Sequence, residues 1–183
     1  LWDLDTGQPI KTLKGHTEWV TAVAVTPDAK RAISGSKDNT CILWDLDTGK
    51  RIKTLKGHTD EVNDVSVTPD AKRAISGSID NTCILWDLDT GQPIKTLKGH
   101  TGPVWAVSVT PDGKRAVLGS GNSTCILWDL DTGQPSKKLN GHTGSVNALS
   151  VTPDGKRAIS GSWDKTCILW DLDTGQPIKT LKG

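Results

Sequence analysis

The stretch that decides the fold runs from residue 57 to residue 87 and reads GHTDEVNDVSVTPDAKRAISGSIDNTCILWD. It begins with Gly-His and ends with Trp-Asp, and the segments Thr-Pro-Asp and Ile-Asp-Asn divide it into three parts. Pro, Asp and Asn in such segments mark turns. The runs between them are short and rich in β-branched residues, which is typical of strands. The stretch therefore predicts a small antiparallel sheet.

The same stretch recurs along the whole chain with a period of 42 residues. Trp-Asp pairs in this register begin at residues 2, 44, 86, 128 and 170, and Gly-His pairs begin at residues 15, 57, 99 and 141. Counted from each His, the units are residues 16–57, 58–99, 100–141 and 142–183, preceded by an overhang, residues 1–15, that is identical to residues 169–183. A fixed period of this length is typical of proteins that stack one supersecondary unit.

Each unit contains four strand patterns separated by turn residues. In the first unit the patterns cover residues 20–26, 31–36, 40–46 and 51–55, and the last is the weakest. The sequence therefore predicts an all-β fold of four-stranded antiparallel blades, four complete blades per chain. The overhang repeats the end of the third strand and the outer strand of a unit.

Gly-His, a Ser-Gly-Ser-x-Asp turn and Trp-Asp at this period resemble the repeats of the WD40 family, and the resemblance extends over the whole chain. Five Trp-Asp pairs in one register make the match far more specific than a single pair would be. The resemblance implies a β-propeller, in which blades pack radially around a central channel with the strand after Gly-His innermost.

The resemblance also implies that His, Ser, Asp and Trp form one buried polar chain in a blade. Such a group left buried without a hydrogen-bond partner costs roughly 1–3 kcal/mol, so we interpret these residues as structural rather than catalytic. The matching residues of three units are His16, Ser34, Asp38 and Trp44; His58, Ser76, Asp80 and Trp86; and His142, Ser160, Asp164 and Trp170.

The third unit departs from this pattern. It has Leu118 where the others have Ser, and Asn122 where they have Asp, so His100 and Trp128 lose their usual partners. We predict that this blade is the least firmly held. In the alternative interpretation, Asn122 still accepts a hydrogen bond from His100.

Composition argues against several classes of partner. Twenty-two Lys and Arg against 21 Asp and Glu give a net charge of +1, without the basic surplus typical of nucleic-acid binding. The sequence contains no apolar run of about 18 residues, so we predict no membrane partner.

Cysteine spacing and motif searches argue against chemistry. Cys41, Cys83, Cys125 and Cys167 repeat with the unit and form no CxxC metal or redox motif. We interpret them as four buried free thiols, which fits a reducing, cytoplasmic location. Phosphate-binding loops, nucleophile elbows and HExxH helices are absent from the sequence. We therefore predict no catalytic residue, no cofactor and no metal.

The units differ from one another just after Gly-His-Thr and just before the turn Asp. Both segments lie at the same end of the predicted strands, and the family resemblance places them on the top face, where partners dock. Exposed Trp is enriched among binding hot spots, and the three tryptophans that do not repeat with the 42-residue period fall in this set. Alternatively, these indoles pack on the channel rim. The predicted partner-binding residues are Trp19, Trp105, Trp163, Glu18, Thr21, Lys37, Asp60, Glu61, Asn63, Ile79, Pro103, Ser145 and Asn147.

These observations favour a non-enzymatic scaffold that binds a protein or peptide which the sequence does not identify. One alternative is a structural, recently amplified or engineered repeat protein without a dedicated partner. Another is a sensor of small molecules or glycans that uses exposed tryptophans.

Four blades are fewer than the seven or eight that close a ring in this family. Because a blade has two apolar faces, four blades alone leave two end faces bare. We predict a homodimer that closes an eight-blade ring, and a longer parent array is the alternative. The overhang could compete for the edge of the last blade.

Overall fold

Four separate antiparallel sheets of four strands each form the protein in a computed structural model that describes residues 1–182. Blade 1 consists of β1 (Val20–Val25), β2 (Arg31–Ser36), β3 (Thr40–Asp45) and β4 (Arg51–Lys56). Blade 2 consists of β5 (Val62–Val67), β6 (Arg73–Ser78), β7 (Thr82–Asp87) and β8 (Pro93–Lys98). Blade 3 consists of β9 (Val104–Val109), β10 (Arg115–Ser120), β11 (Cys125–Asp129) and β12 (Gln134–Leu139). Blade 4 consists of β13 (Val146–Val151), β14 (Arg157–Ser162), β15 (Thr166–Asp171) and β16 (Pro177–Lys182).

The predicted all-β fold of four antiparallel blades is confirmed, and within each blade the strands pair in chain order. The strand bounds in blade 1 lie within one residue of the prediction. The exact unit boundaries stay a prediction, and Gly183, which ends the fourth unit and the text shared with the overhang, lies outside the described residues.

The turns form because their side chains replace missing backbone partners. Between β1 and β2, the hydroxyl of Thr26 donates to Asp28 at 2.6 Å and accepts from the N–H of Arg31 at 3.0 Å. Between β3 and β4, Asp45 accepts from the N–H of Thr48 at 2.7 Å, and Gly49 adopts a φ of 67°. Carboxylates and hydroxyls at these positions favour tight turns, and glycine accepts the positive φ without a steric penalty.

The blades fan out from a shared axis. Their innermost strands, β1, β5, β9 and β13, contact one another in that order, whereas the fourth strand of each blade lies farthest out. The three apolar core clusters each combine residues of two neighbouring blades; one of them joins Ile75 and Leu97 of blade 2 to Val104 and Trp128 of blade 3. The core therefore lies between the blades, and each blade needs a neighbour to bury its faces.

The glycine of each Gly-His pair is required by close packing. A Cβ atom on Gly57 would lie 3.0 Å from the indole ring of Trp86, and one on Gly15 would lie 2.9 Å from that of Trp44. Side chains do not approach so closely in a packed interior, so a larger residue here would displace the buried indole.

The four blades form an arc with blades 1 and 4 at its ends. Each end blade exposes one face whose counterpart in the inner blades is buried. Val23 of blade 1 is 70% exposed, whereas its counterpart Val65 of blade 2 is 5% exposed. At the other end Ile159 is 37% exposed, whereas its counterpart Ile75 is fully buried. The exposed faces of blades 1 and 4 are therefore apolar surfaces.

The overhang forms no strand of regular length, and its interpretation as the end of a third strand plus an outer strand stays a prediction. Residues 1–11 make a hairpin with one isolated bridge, Trp2 to Pro9, because no neighbouring strand completes the ladder. The hairpin packs against blade 1, where the ammonium of Lys11 donates to the carbonyl of Thr48 at 2.7 Å. Lys53 makes the matching contact with Asp89 of blade 2. The overhang thus takes the position of a preceding blade's outer turn, while β16 forms the edge of blade 4.

Candidate functional site

Blades 1, 2 and 4 each contain the same buried hydrogen-bond chain. In blade 2, Nδ1 of His58 lies 2.8 Å from a carboxylate oxygen of Asp80, and Nε2 lies 2.8 Å from the hydroxyl of Ser76. The same hydroxyl accepts from the indole N–H of Trp86 at 2.8 Å. The corresponding distances are 2.7–2.8 Å in the other two blades, through His16, Ser34, Asp38 and Trp44, and through His142, Ser160, Asp164 and Trp170.

The surroundings of these hydrogen-bond chains shift the pKa values of their Asp and His side chains. Burial alone would raise the pKa of Asp38, but hydrogen bonds from Thr40, the N–H of Thr17 and His16 outweigh it and lower the pKa to about 2. Desolvation lowers the pKa of His58, although Asp80 opposes this effect. In each of these blades the hydrogen-bond chain connects the Gly-His segment to the turn before the third strand. Its groups already satisfy one another, which suits a structural clamp better than proton transfer to a substrate.

Blade 3 leaves the same groups without partners. Both ring nitrogens of His100 and the indole N–H of Trp128 are buried and make no hydrogen bond among residues 1–182. Asn122 does not replace the missing Asp, because its amide donates to Thr101 at 2.7 Å and its oxygen accepts from Thr124. This finding corrects the alternative in which Asn122 accepts from His100. Desolvation, with a smaller effect of Lys138, lowers the pKa of His100 to about 4.

The two variable segments of each blade meet at one end of the strands, which we call the top face. In blade 1 the N–H of Lys37 donates to the carbonyl of Trp19 at 2.9 Å. Trp19 is 75% exposed, and the Lys37 ammonium lies 5.3 Å from its ring centroid. The same ammonium lies 3.0 Å from Glu61 of blade 2. Side chains of the top face therefore connect adjacent blades.

The remaining predicted residues divide by exposure. Glu18, Asp60 and Trp163 are exposed, and Trp163 is 72% exposed. The half-buried residues of the set include Ile79, Pro103, Trp105 and Asn147. With its amide oriented to satisfy both groups, Asn147 accepts from the indole N–H of Trp163 at 2.7 Å.

Three predicted binding residues make contacts within the chain, and their role in binding stays a prediction. Ser145 is buried, because the backbone N–H of Trp163 and the side chain of Asn147 cover it. The hydroxyl of Thr21 donates to a carbonyl of the next blade, that of Val62. The amide of Asn63 likewise donates across a junction, at 2.9 Å. The polar groups of Thr21 and Asn63 are therefore used between blades and are not free for a partner.

Sequence reasoning missed a second series of contacts between blades. On the face opposite the top face, Arg31 of blade 1 lies 3.0 Å from Asp89 of blade 2. Each Arg reaches the Asp that lies 58 residues further along the chain. This constant offset in near-identical units is the pattern that could have revealed the pairs. The other two pairs are Arg73 with Asp131 at 2.8 Å and Arg115 with Asp173 at 3.3 Å.

Asp64 was also missed. Its carboxylate accepts from the N–H of Val107 in blade 3 at 2.7 Å and from that of Val65 at 2.8 Å, and burial raises its pKa. The other units have Ala at this position. A lone charge in an alanine position on an inner strand was therefore a usable sign of a special contact.

The thiols and charged clusters offer little chemistry. Burial raises the pKa of Cys41 and Cys125 to about 12 and that of Cys83 well above its usual range. Cys167 is only half-buried, which corrects the prediction of four buried thiols, because no blade covers the far face of blade 4.

In residues 1–182 no group of three or more His, Cys, Asp or Glu is arranged to hold a metal ion. Within the same range, no helix has the length and apolar character needed to cross a membrane.

Comparison with known proteins agrees with the repeat structure. The family model for the WD domain, G-beta repeat matches residues 7–45, 49–87, 91–129 and 133–171. The first match begins in the overhang, and each of the other three begins before the outer strand of one blade and ends with the third strand of the next. Among curated proteins, the chain is similar to Nuclear distribution protein PAC1 of Arthroderma otae, at 42% identity over 43 residues. That alignment covers 24% of this chain and 9% of the relative's length.

Proposed function

Because this chain belongs to the WD40 repeat family, we propose that it is a non-catalytic scaffold that binds a protein or peptide through the top face. The observation that supports this proposal most strongly is the exposure of Trp19 and Trp163, 75% and 72%, on that face. A Trp side chain presents on the order of 150–250 Å² of surface, and Trp is enriched among the residues that dominate binding energy. Exposed indoles are therefore well suited to contact a partner.

The surroundings of these indoles support a protein partner. Glu18 and Lys37 lie in the loops next to Trp19, and Asp60 and Glu61 lie in the adjacent loop of blade 2, so charges of both signs surround this indole. An apolar anchor with a polar rim is the usual composition of a protein interface. Trp105, in a middle blade, adds a half-buried indole to the same face.

The observations favour a protein partner over a small molecule. A cleft of about 470 Å³ lies on the open face of blade 1, between residues such as His16, Val20 and Val23. It contains neither Trp105 nor Trp163. An apolar end face fits another blade better than it fits a soluble ligand.

The top-face proposal is tested by comparing two triple-alanine variants in affinity capture followed by mass spectrometry. The first removes Trp19, Trp105 and Trp163, and we expect it to lose the partners that the intact chain retains. The control removes three exposed apolar side chains of the outer strands, Ile52, Ile94 and Ile178, and should retain them. Equal recovery by both variants would show that the top face is not the binding surface.

We also propose that a second copy of the chain covers the two end faces and completes the ring. Val20 on the open face of blade 1 is 52% exposed, but its counterparts at the three internal junctions, Val62, Val104 and Val146, are fully buried. Burying one such side chain contributes roughly 1.5–3 kcal/mol. In a twofold assembly, blade 4 of each copy packs on blade 1 of the other, so both faces are buried at once.

Sedimentation equilibrium tests the second proposal. We expect twice the chain mass of 19.6 kDa at micromolar concentration. A stable monomer under those conditions would rule out closure by a second copy, and would leave the top-face proposal to its own test.

A further inference from the structure

Two positions that vary between blades lie on either side of each internal junction. At the first junction the residue after the second strand of blade 1, Lys37, lies 3.0 Å from the residue before the first strand of blade 2, Glu61. The same two positions at the next junction are Ile79 and Pro103, and at the third they are Gly121 and Ser145.

Each of these pairs is matched in character. The first combines opposite charges, the second two apolar side chains, and the third two small residues. The residue types change from junction to junction, but within a pair they remain compatible. This is the pattern expected of positions that face each other across an interface.

The same two positions at the open ends identify an unused pair. The residue after the second strand of blade 4 is Trp163, and the residue before the first strand of blade 1 is Trp19. These are the two most exposed tryptophans beyond the overhang, and they lie on the top face at opposite ends of the arc. Where blade 4 of one copy meets blade 1 of another, the two indoles face each other.

The same step from one blade to the next predicts two further contacts between blade 4 of one copy and blade 1 of another. The side chain of Arg157 has no hydrogen-bond or ion-pair partner among residues 1–182, whereas the three preceding arginines each reach an Asp of the next blade. We call the junction between blade 4 of one copy and blade 1 of another the seam. Across the seam, the residue that corresponds to the Asp partners of the other arginines is the exposed Asp47 of blade 1. The close approach also repeats: a Cβ on Gly77 would lie 2.7 Å from Val104, while Gly161 faces no such valine within its own chain. The matching residue across the seam is Val20, which is 52% exposed.

We propose that Trp163 of one copy and Trp19 of a second copy pack against each other and determine which blades join. This inference rests on the proposed ring of two chains. The Arg157 and Asp47 pair secures the opposite end of the same seam. Blade 4 thus selects blade 1 because only this combination brings indole to indole and Arg to Asp. The seam also places both indoles together on the top face, so assembly itself creates the largest apolar group there.

The test transfers the Lys37 and Glu61 pair to the seam. Two variants are made, Trp163→Lys and Trp19→Glu, and dimer dissociation constants are measured for each alone and for their mixture. Both positions are exposed in the single chain, so each variant should fold, and far-ultraviolet circular dichroism checks this. Each variant alone loses the pairing of two indoles at both seams, which leaves a carboxylate against an indole in one variant and only a weaker cation–π contact in the other. We expect its dissociation constant to rise at least about thirtyfold, as for the loss of one hot spot.

The mixture should recover. In a mixed dimer one seam joins the introduced lysine to the introduced glutamate, and the other retains Trp163 against Trp19. We expect the mixed dimer to form at concentrations where neither variant dimerises alone. Ile94→Ala is the control, because it removes an exposed apolar side chain of an outer strand away from the seam and should leave the dissociation constant unchanged.

The outcomes separate the two proposals. If the unaltered chain dimerises but the variants bind as tightly as it does, or the mixture behaves as the sum of its parts, the tryptophan pairing is wrong and the ring stands. If the unaltered chain is a monomer, the ring itself is wrong.

Discussion

Blades 2 and 3 are built from nearly the same sequence, yet only blade 2 satisfies its buried polar groups. In blade 2 the hydroxyl of Ser76 serves both His58 and Trp86. In blade 3 the same position is Leu118, and the nitrogens of His100 and Trp128 have no partner in the described part of the chain. Both sheets nonetheless have four strands paired in the same order, although β11 begins one residue later than its counterpart β7 and β12 lies one residue earlier than its counterpart β8.

The comparison separates what forms a blade from what holds it in place. Leu118 is fully buried and belongs to the apolar core shared by blades 2 and 3. Burial of a Leu side chain contributes roughly 1.5–3 kcal/mol, which offsets part of the cost of orphaned donors and acceptors. Packing between blades is therefore sufficient to form the sheet. The polar chain adds local stability and fixes the Gly-His segment.

The largest effect is expected when blade 2 is converted to the pattern of blade 3. Ser76→Leu removes both hydrogen bonds of the hydroxyl and leaves His58 and Trp86 each with an unpaired buried nitrogen. Each orphaned group costs about 1–3 kcal/mol, and the added apolar burial returns part of this. We expect the free energy of unfolding, measured by urea denaturation, to fall by about 2–3 kcal/mol.

Ser76→Thr is the control, because it retains a hydroxyl while adding volume to the same buried site. Its loss should be clearly smaller than that of Ser76→Leu. Equal losses for the two variants would mean that space, and not hydrogen bonding, limits this position, and the comparison between blades 2 and 3 would lose its physical basis.

The sequence was sufficient for features that depend on neighbours within one unit. Strand bounds followed from turns such as Thr26 to Arg31, and the polar chain of Ser76 connects residues of a single blade. Features between units were harder to predict. The side chain of Asn63 meets a carbonyl of the next blade, about one period away in the chain, and no local pattern distinguishes that use from exposure. Asn122 had two available partners, and only geometry decides that it bonds Thr101.

A smaller and opposite effect is expected when blade 3 receives the pattern of blade 2. Leu118→Ser with Asn122→Asp supplies His100 and Trp128 with the partners that their counterparts have. The new hydrogen bonds are offset by the lost burial of Leu118, so we expect a gain of about 1 kcal/mol in unfolding free energy. Amide hydrogen exchange should slow in β9 to β11 and remain unchanged in blade 1. An unchanged melting temperature would contradict the view that blade 3 is held less firmly.

The pH dependence of the unfolding free energy gives a further test of the same double variant. The folded chain lowers the pKa of His100 to about 4, below the value of about 6.5 in an unfolded chain. The unfolded state therefore takes up this proton first, and stability present above about pH 6.5 is lost as the pH falls toward 4. Between pH 6 and pH 5 this residue should cost the unaltered protein about 1 kcal/mol. The double variant should lose less over that interval, because the introduced Asp favours the protonated ring. Parallel losses in the two proteins would show that His100 is not the group that titrates.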